Sequence, residues 1–223
     1  MVFTPNLTIL SPPQLDLWPE LDATPEHFTL YGGTALALRL AHRASVDFDF
    51  FSNLSVDPDE LAAAVPYLKG AERVQVAPDT LKCRIERSGP VLVSFFGGLG
   101  LGRVAPPEKA EGRTLFVASL LDIAGTKAAV VQKRAEAKDY LDIDALLQHG
   151  IELPTALAAG RVIYGRSFNP LITLKALTFF DDVPTLSADV RRRLAAAVET
   201  VDPASLPPVA TYAGRRDENG HTP

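Results

Sequence analysis

In Arg43-Ala44-Ser45-Val46-Asp47-Phe48-Asp49-Phe50-Phe51, acids and aromatics alternate, and fourteen residues before Asp47 stands the Gly33 of Phe28-Thr29-Leu30-Tyr31-Gly32-Gly33-Thr34. Side chains of an extended strand alternate between its faces, so Asp47 and Asp49 point the same way, roughly 6.5 Å apart, and Phe48 and Phe50 point into a core. Two carboxylates on one face can hold a divalent metal. Mg²⁺ (or Mn²⁺) suits a few carboxylate oxygens completed by phosphate oxygens, and such ions steady the attacking and leaving oxygens of an in-line displacement. The apolar run 28–31 predicts a second strand, and Thr34-Ala35-Leu36-Ala37-Leu38-Arg39-Leu40 has the composition of a helix. Strand, glycine turn and helix start bring bare N–H groups and a positive dipole end towards a triphosphate.

Alone, Gly-Gly-Thr is a turn and Asp-x-Asp is a solvated strand face. Their order and spacing, with Phe residues anchoring the acidic strand, point together to a metal and nucleotide site.

Gly32, Gly33, Thr34, Arg43, Ser45, Asp47, Asp49, Phe50 and Phe51 resemble, in order, the pattern of the nucleotidyltransferases related to the AbiEii/AbiGii toxins, in the polymerase-β-like superfamily. A second block, Ser119-Leu120-Leu121-Asp122-Ile123-Ala124-Gly125-Thr126-Lys127 through Arg134 to Lys138-Asp139-Tyr140-Leu141-Asp142, is similar to that family's second motif, with Lys138 in place of its second basic residue. The resemblance spans about residues 28–148. It implies that Lys127 and Asp139 are catalytic beside Asp47 and Asp49, that Asp47 and Asp49 hold the metal, and that Gly32, Gly33, Thr34, Arg43, Ser45, Lys127 and Arg134 bind the NTP. It also implies an RNA acceptor, such as tRNA in some relatives, and a cognate antitoxin protein.

The second block is legible without the family. Ser119 with Asp122 three residues on is a helix start. Lys127 and Arg134 are seven apart, two turns on one face, and Lys138 falls near that face if the helix runs on. Lys127 lies amid Ile123, Ala124, Ala128, Val130 and Val131, where an unpaired ammonium is costly to bury, so a phosphate or a carboxylate should meet it. Asp139 and Asp142 remain open between ion-pair partners, helix-start acids and a base acting on the acceptor.

One departure from the superfamily concerns a third carboxylate on a later strand. In Val91-Leu92-Val93-Ser94-Phe95-Phe96 the matching position is Ser94. A serine hydroxyl is a poor metal ligand and a poor base at its ordinary pKa. A catalytically degenerate nucleotide-binding module and a small-molecule, antibiotic-type nucleotidyltransferase are therefore the alternatives to an RNA-modifying toxin.

Composition fits an enzyme of one domain or two lobes: 223 residues, 47% of them hydrophobic, with a net charge of −5. An acidic chain is no general nucleic-acid coat, so an RNA partner needs a local basic patch, for which Arg39, His42, Arg43, Lys127, Lys133, Arg134 and Lys138 are the candidates. The single Cys83 excludes an internal disulfide, and with no leader-like or membrane-spanning segment the expected home is the cytoplasm.

Further elements follow from local signals. Short helices are expected at 12–22, with Trp18 in the core, and at 57–68 after Asp57-Pro58; strands near 72–76, 80–87 and 90–96, the last two a hairpin at Ser88-Gly89. Gly97 to Gly102 is followed by no clear helix and reads as a loop. Helices start at Asn169-Pro170 and Ser187, the latter carrying Arg191, Arg192 and Arg193, read as a solvated face. The expected fold is α/β, a polymerase-β-like mixed sheet of four or five strands with flanking helices plus a C-terminal helical lobe. The expected division is a nucleotidyltransferase core over 1–118, a helical lobe over 119–202 that completes the active site, and a flexible tail over 203–223.

Overall fold

The computed structural model describes residues 1–213; the last ten residues of the expected tail lie outside the described residues. Two compact units are present, one built from Met1–Gly100 with Pro106–Ala118 and the other from Leu101–Ala105 with Ser119–Tyr212.

The first unit holds an eight-stranded mixed sheet. In chain order its strands are β1 (Val2–Phe3), β2 (Thr29–Tyr31), β3 (Asp47–Phe51), β4 (Glu72–Ala77), β5 (Thr80–Glu86), β6 (Pro90–Phe96), β7 (Glu108–Ala110) and β8 (Phe116–Val117). Across the sheet they run β1-β7-β8-β2-β3-β6-β5-β4. The acidic strand β3 is therefore central, antiparallel to β2 on one side and parallel to β6 on the other.

The predicted alternation is followed. Phe48 and Phe50 of β3 are completely buried, with Val93 and Phe95 of β6 and Leu81, Cys83 and Ile85 of β5 on the same core face. Trp18 packs there against Phe48 at 6.3 Å between ring centres. Burying one such side chain contributes about 1.5–3 kcal/mol, so this aromatic and aliphatic face fixes the register of the acids opposite.

Sequence reasoning expected four or five strands. The additional ones, β1, β7 and β8, are two or three residues long, too short to display any period. Helices α1 (Pro12–Leu17), α2 (Gly32–Leu40) and α3 (Pro58–Ala64) complete the unit. Asp57 caps α3 by accepting from the Asp59 and Glu60 N–H groups, and Pro58 occupies its first turn. In place of one helix over 12–22, α1 gives way at Trp18-Pro19 to a 3₁₀ segment.

The second unit is helical: α4 (Leu120–Val130), α5 (Ala137–Gln148), α6 (Leu153–Tyr164), α7 (Pro170–Ala176) and α8 (Ala188–Glu199). Ser119, Asn169 and Ser187 each cap their helix through the side-chain oxygen, at the starts that the sequence announces. Gly125 and Gly160 allow a close approach of α4 and α6. A Cβ on Gly125 would stand 2.9 Å from the Ala159 carbonyl carbon and the Gly160 nitrogen, both backbone atoms. Within this unit the Tyr212 N–H donates to the Arg103 carbonyl at 2.6 Å.

Among the described residues no helix is long and apolar enough to cross a membrane.

Candidate active site

β2 ends at Tyr31 and α2 begins on the next residue, so the chain reverses within Gly32-Gly33. Gly32 has φ +75°, a conformation that an L side chain resists. The glycines also leave space. A Cβ on Gly32 would stand 2.8 Å from Asp49 Oδ2, and one on Gly33 would stand 2.5 Å from Arg43 Nη2 and 2.9 Å from Ser45 Oγ. The turn is thus pressed against an acid on one side and an arginine and a serine on the other.

Other contacts hold this group in place. The Thr34 hydroxyl donates to the Asp47 carbonyl, tying the first turn of α2 to the start of β3. Gln14, buried on α1, donates from Nε2 to the Ser45 carbonyl at 2.9 Å. Gln14 also closes the start of its own helix, accepting from the Ser11 N–H at 3.0 Å. Sequence reasoning missed Gln14, whose only local signal is the Ser11-x-x-Gln14 cap. Arg43 donates to the Ala44 carbonyl at 2.9 Å.

Asp47 and Asp49 are half-buried on the face opposite Phe48 and Phe50. In the parallel ladder Asp49 stands directly beside Ser94, and Asp47 beside Leu92. Ser94 therefore occupies the position expected for the absent third acid. Asp47 and Asp49 offer hard oxygen donors on one strand, next to a turn with open backbone, a set that could hold one Mg²⁺ whose remaining ligands are water and phosphate oxygens. Among the described residues no cluster of three metal-ligating side chains exists. Gly32, Gly33, Thr34, Arg43, Ser45, Asp47 and Asp49 thus lie together in the first unit.

Lys127, Arg134 and Asp139 meet one another in the second unit. The Lys127 ammonium lies 2.9 Å from Asp139 Oδ1 and 2.5 Å from Asp142 Oδ2, with side-chain exposures of 6%, 0% and 0%. Arg134 donates to the same carboxylate, from Nε to Oδ2 at 2.8 Å and from Nη2 to Oδ1 at 3.2 Å. Burial pushes the Asp139 carboxyl up, but the Arg134 hydrogen bonds and the Lys127 charge outweigh it and hold the group below the ordinary aspartate value. The ammonium in the apolar stretch is met by carboxylates, one of the two outcomes its burial required. Both Asp139 oxygens accept from cations, which is the geometry of an ion-pair partner.

Several expectations need correction. The continuous basic stripe does not form, because α4 ends at Val130 and the chain turns before α5 opens at Ala137, so Arg134 lies between helices. Lys138 pairs with Glu136 at 2.8 Å on the surface. Arg39, counted in the basic patch, is 7% exposed, paired with Glu108 at 3.0 Å and stacked 4.0 Å over the Phe3 ring. The arginines of α8 are not one solvated face either. Arg191 donates to the Val183, Pro184 and Leu186 carbonyls, and Arg193 grips the buried Asp144 through two bonds of 2.7 and 2.6 Å. Arg192, the most exposed of the three, pairs with Asp189 on the surface. Asp122 does more than start α4. Its carboxylate accepts from the Val104 and Ala105 N–H groups at 3.0 and 3.3 Å and from the Ser119 hydroxyl at 2.5 Å, and burial raises its pKa.

Comparisons with known proteins agree with the motifs. Residues 20–215 match the family model described as nucleotidyl transferase AbiEii toxin, type IV TA system. An uncharacterized protein of Aquifex aeolicus strain VF5 is 31% identical over 158 residues, covering 70% of this chain and 74% of its own. Among solved structures the fold is similar to that of the MenT4 nucleotidyltransferase toxin of Mycobacterium tuberculosis H37Rv, with a TM-score of 0.57, 20% identity and 84% of each chain covered. The chain belongs to the AbiEii nucleotidyltransferase toxin family of type IV toxin–antitoxin systems. Such a toxin implies a cognate antitoxin.

Proposed function

We propose that this AbiEii-family enzyme is Mg²⁺-dependent and moves NMP from an NTP onto a hydroxyl of RNA, with tRNA as the first acceptor to test and the cytoplasm as its place of action. The observation that carries the reading is the crowding at Gly32-Gly33, where Asp49, Arg43 and Ser45 stand so close to the turn that a Cβ on either glycine would have to displace one of these side chains.

In the reaction the acceptor oxygen attacks the α-phosphorus and the bond from that phosphorus to the α,β-bridging oxygen breaks. Pyrophosphate leaves, and the acceptor proton is released to solvent. Mg²⁺, when bound, supplies charge neutralisation for the phosphates. Asp47 and Asp49 would hold it. The open N–H groups of the glycine turn, Ser45 Oγ and the Arg43 guanidinium orient the triphosphate and neutralise pyrophosphate as it departs. Thr34 positions β3 against the turn. Within the second unit Lys127 and Arg134 are committed to Asp139, which serves as their ion-pair partner.

The test is to incubate the full chain with each α-labelled NTP, Mg²⁺ and total RNA. Label in RNA that disappears in Asp49→Asn and with EDTA supports the reading. Label in a small molecule instead of RNA would select the antibiotic-type alternative, and no turnover of any NTP would select the degenerate binding module.

A further inference from the structure

The registers across four strands place one row of side chains on the face that carries the acids. Asp49 stands beside Ser94, Ser94 beside Lys82, and Lys82 beside Gln75. Laterally paired residues of a sheet share a face, and the buried Leu81, Cys83 and Ile85 confirm that Lys82 belongs to the other one. Two strand spacings separate Lys82 from Asp49, roughly 9.6 Å between backbones. The neighbouring cation on this face, Arg84, is committed to Glu72 at 2.7 Å. Among the described residues Lys82 has no carboxylate within ion-pairing distance, so its half-buried ammonium is available to a ligand.

The direction of the reaction gives this lysine a role. In an in-line displacement the attacking and leaving oxygens lie on opposite sides of the phosphorus. The glycine turn and Arg43 lie on the β2 side of β3 and mark where pyrophosphate departs, which leaves the β6–β5 side for the acceptor. Ser94, buried at 2% exposure, lies first on that side and adds no charge there that would repel an incoming polyanion. Lys82 lies next, with a four-carbon stem and a compact charge.

We propose that Lys82 binds a backbone phosphate of the RNA acceptor, bringing the terminal hydroxyl towards Asp49 from the β6 side and in line with the α-phosphorus. The assignment rests on the nucleotidyl-transfer reading above and adds the side from which the acceptor enters. Lys82 is a positioning residue, distant from the reacting atoms, and its loss acts on acceptor binding.

The test uses full-length wild type, Lys82→Ala, Lys82→Arg and Lys82→Glu with labelled NTP, Mg²⁺ and titrated total tRNA. Lys82→Ala should raise the KM for RNA about tenfold and leave the KM for NTP within about twofold, as loss of one charge-assisted phosphate contact requires. Lys82→Glu should raise it further and Lys82→Arg should restore it. The slope of log KM for RNA against log salt should fall by about 0.7–1 in Lys82→Ala. An unchanged NTP KM also reports that the variants are folded. A rise in the NTP KM with no change for RNA would assign Lys82 to the incoming nucleotide and overturn the proposal, as would identical RNA kinetics in all four proteins. If wild type itself places no label in RNA, the acceptor reading fails with it; if wild type labels RNA and the variants match it, only the Lys82 assignment fails.

Discussion

The two charged clusters carry similar residues in opposite states. On β3, Asp47 and Asp49 are half-buried beside a glycine turn. On α4 and α5, Lys127, Asp139 and Asp142 are almost wholly buried and already paired with one another. The first pair is only half-buried, so its charges are less desolvated than those of the second. In the second cluster the desolvation of each charge is offset mainly by its partners, and removing one partner strands the others. The contrast separates the acids proposed to bind metal from charges compensated within the fold.

The largest expected effect tests the β3 cluster. Asp47→Asn or Asp49→Asn should lower RNA labelling by about a thousandfold or more, which is roughly 4 kcal/mol of transition-state stabilisation. The urea midpoint should barely move, within about 0.5 kcal/mol of wild type. Substantial unfolding in either variant would show that these acids, like those of the second cluster, are structural.

Lys127→Ala should do the reverse, destabilising the protein by about 3–5 kcal/mol in urea unfolding, because Asp142 and Asp139 lose their shared ammonium. Joint replacement Lys127→Met with Asp142→Leu should recover part of that loss, since no lone charge is left. A Lys127→Ala protein of unchanged stability but weakened NTP binding would take Lys127 out of the compensated class and restore it to direct phosphate contact.

Smaller effects are expected at the turn. Gly33→Ala meets only side-chain atoms of Arg43 and Ser45, the former at the end of a flexible arm, so stability should change by less than about 1 kcal/mol. The KM for NTP should rise about tenfold as Arg43 is displaced. Gly32→Ala adds a left-handed φ, with a cost of about 1–2 kcal/mol, and presses on Asp49 Oδ2. Equal NTP kinetics in Gly33→Ala and wild type would remove Arg43 and Ser45 from the nucleotide site.

The first cluster was legible in the sequence because its signals are local: period-two alternation over 47–51 and a glycine pair after an apolar run; the place of Ser94 came from the superfamily pattern. The short strands β1, β7 and β8 were not, since two or three residues carry no period and their pairing is decided by tertiary contacts. The second cluster was half legible. An ammonium amid Ile123, Ala128 and Val131 demands a partner, but which partner depends on where α4 stops, and nothing in Val130-Val131-Gln132 announces a stop. The partner of Arg193 is hidden for the same reason. Three arginines on a helix read as surface, which holds for the exposed Arg193, but its pairing with the buried Asp144, 49 residues away, has no local signal. Lys82 gave no signal at all, because its meaning lies in a lateral row that only the strand order reveals.

The smallest expected effect is a pH dependence, and its sign distinguishes two buried acids of the helical unit. Asp139 is held below the ordinary aspartate value, so the folded state binds this proton less readily than the unfolded chain does. Its contribution to stability is fully present above the unfolded pKa of about 3.9 and is lost as pH falls through the lower folded value. Asp122 is raised by burial, despite the hydrogen bonds from Ser119, Val104 and Ala105 that favour its charged form. The folded state then binds that proton more readily, and stability from this group increases as pH falls from above the raised folded value towards the unfolded one. Urea unfolding of wild type, Asp139→Asn and Asp122→Asn at a series of pH values from neutral downward resolves the two. Wild type should lose stability more steeply than Asp139→Asn below about pH 4, whereas the difference between wild type and Asp122→Asn should shift in favour of wild type as pH falls through the raised folded value of Asp122 towards the unfolded one. Parallel curves for wild type and Asp139→Asn at low pH would mean that the Asp139 carboxylate gains nothing from Arg134 and Lys127, and the contrast between a half-buried and a compensated cluster would lose its main support.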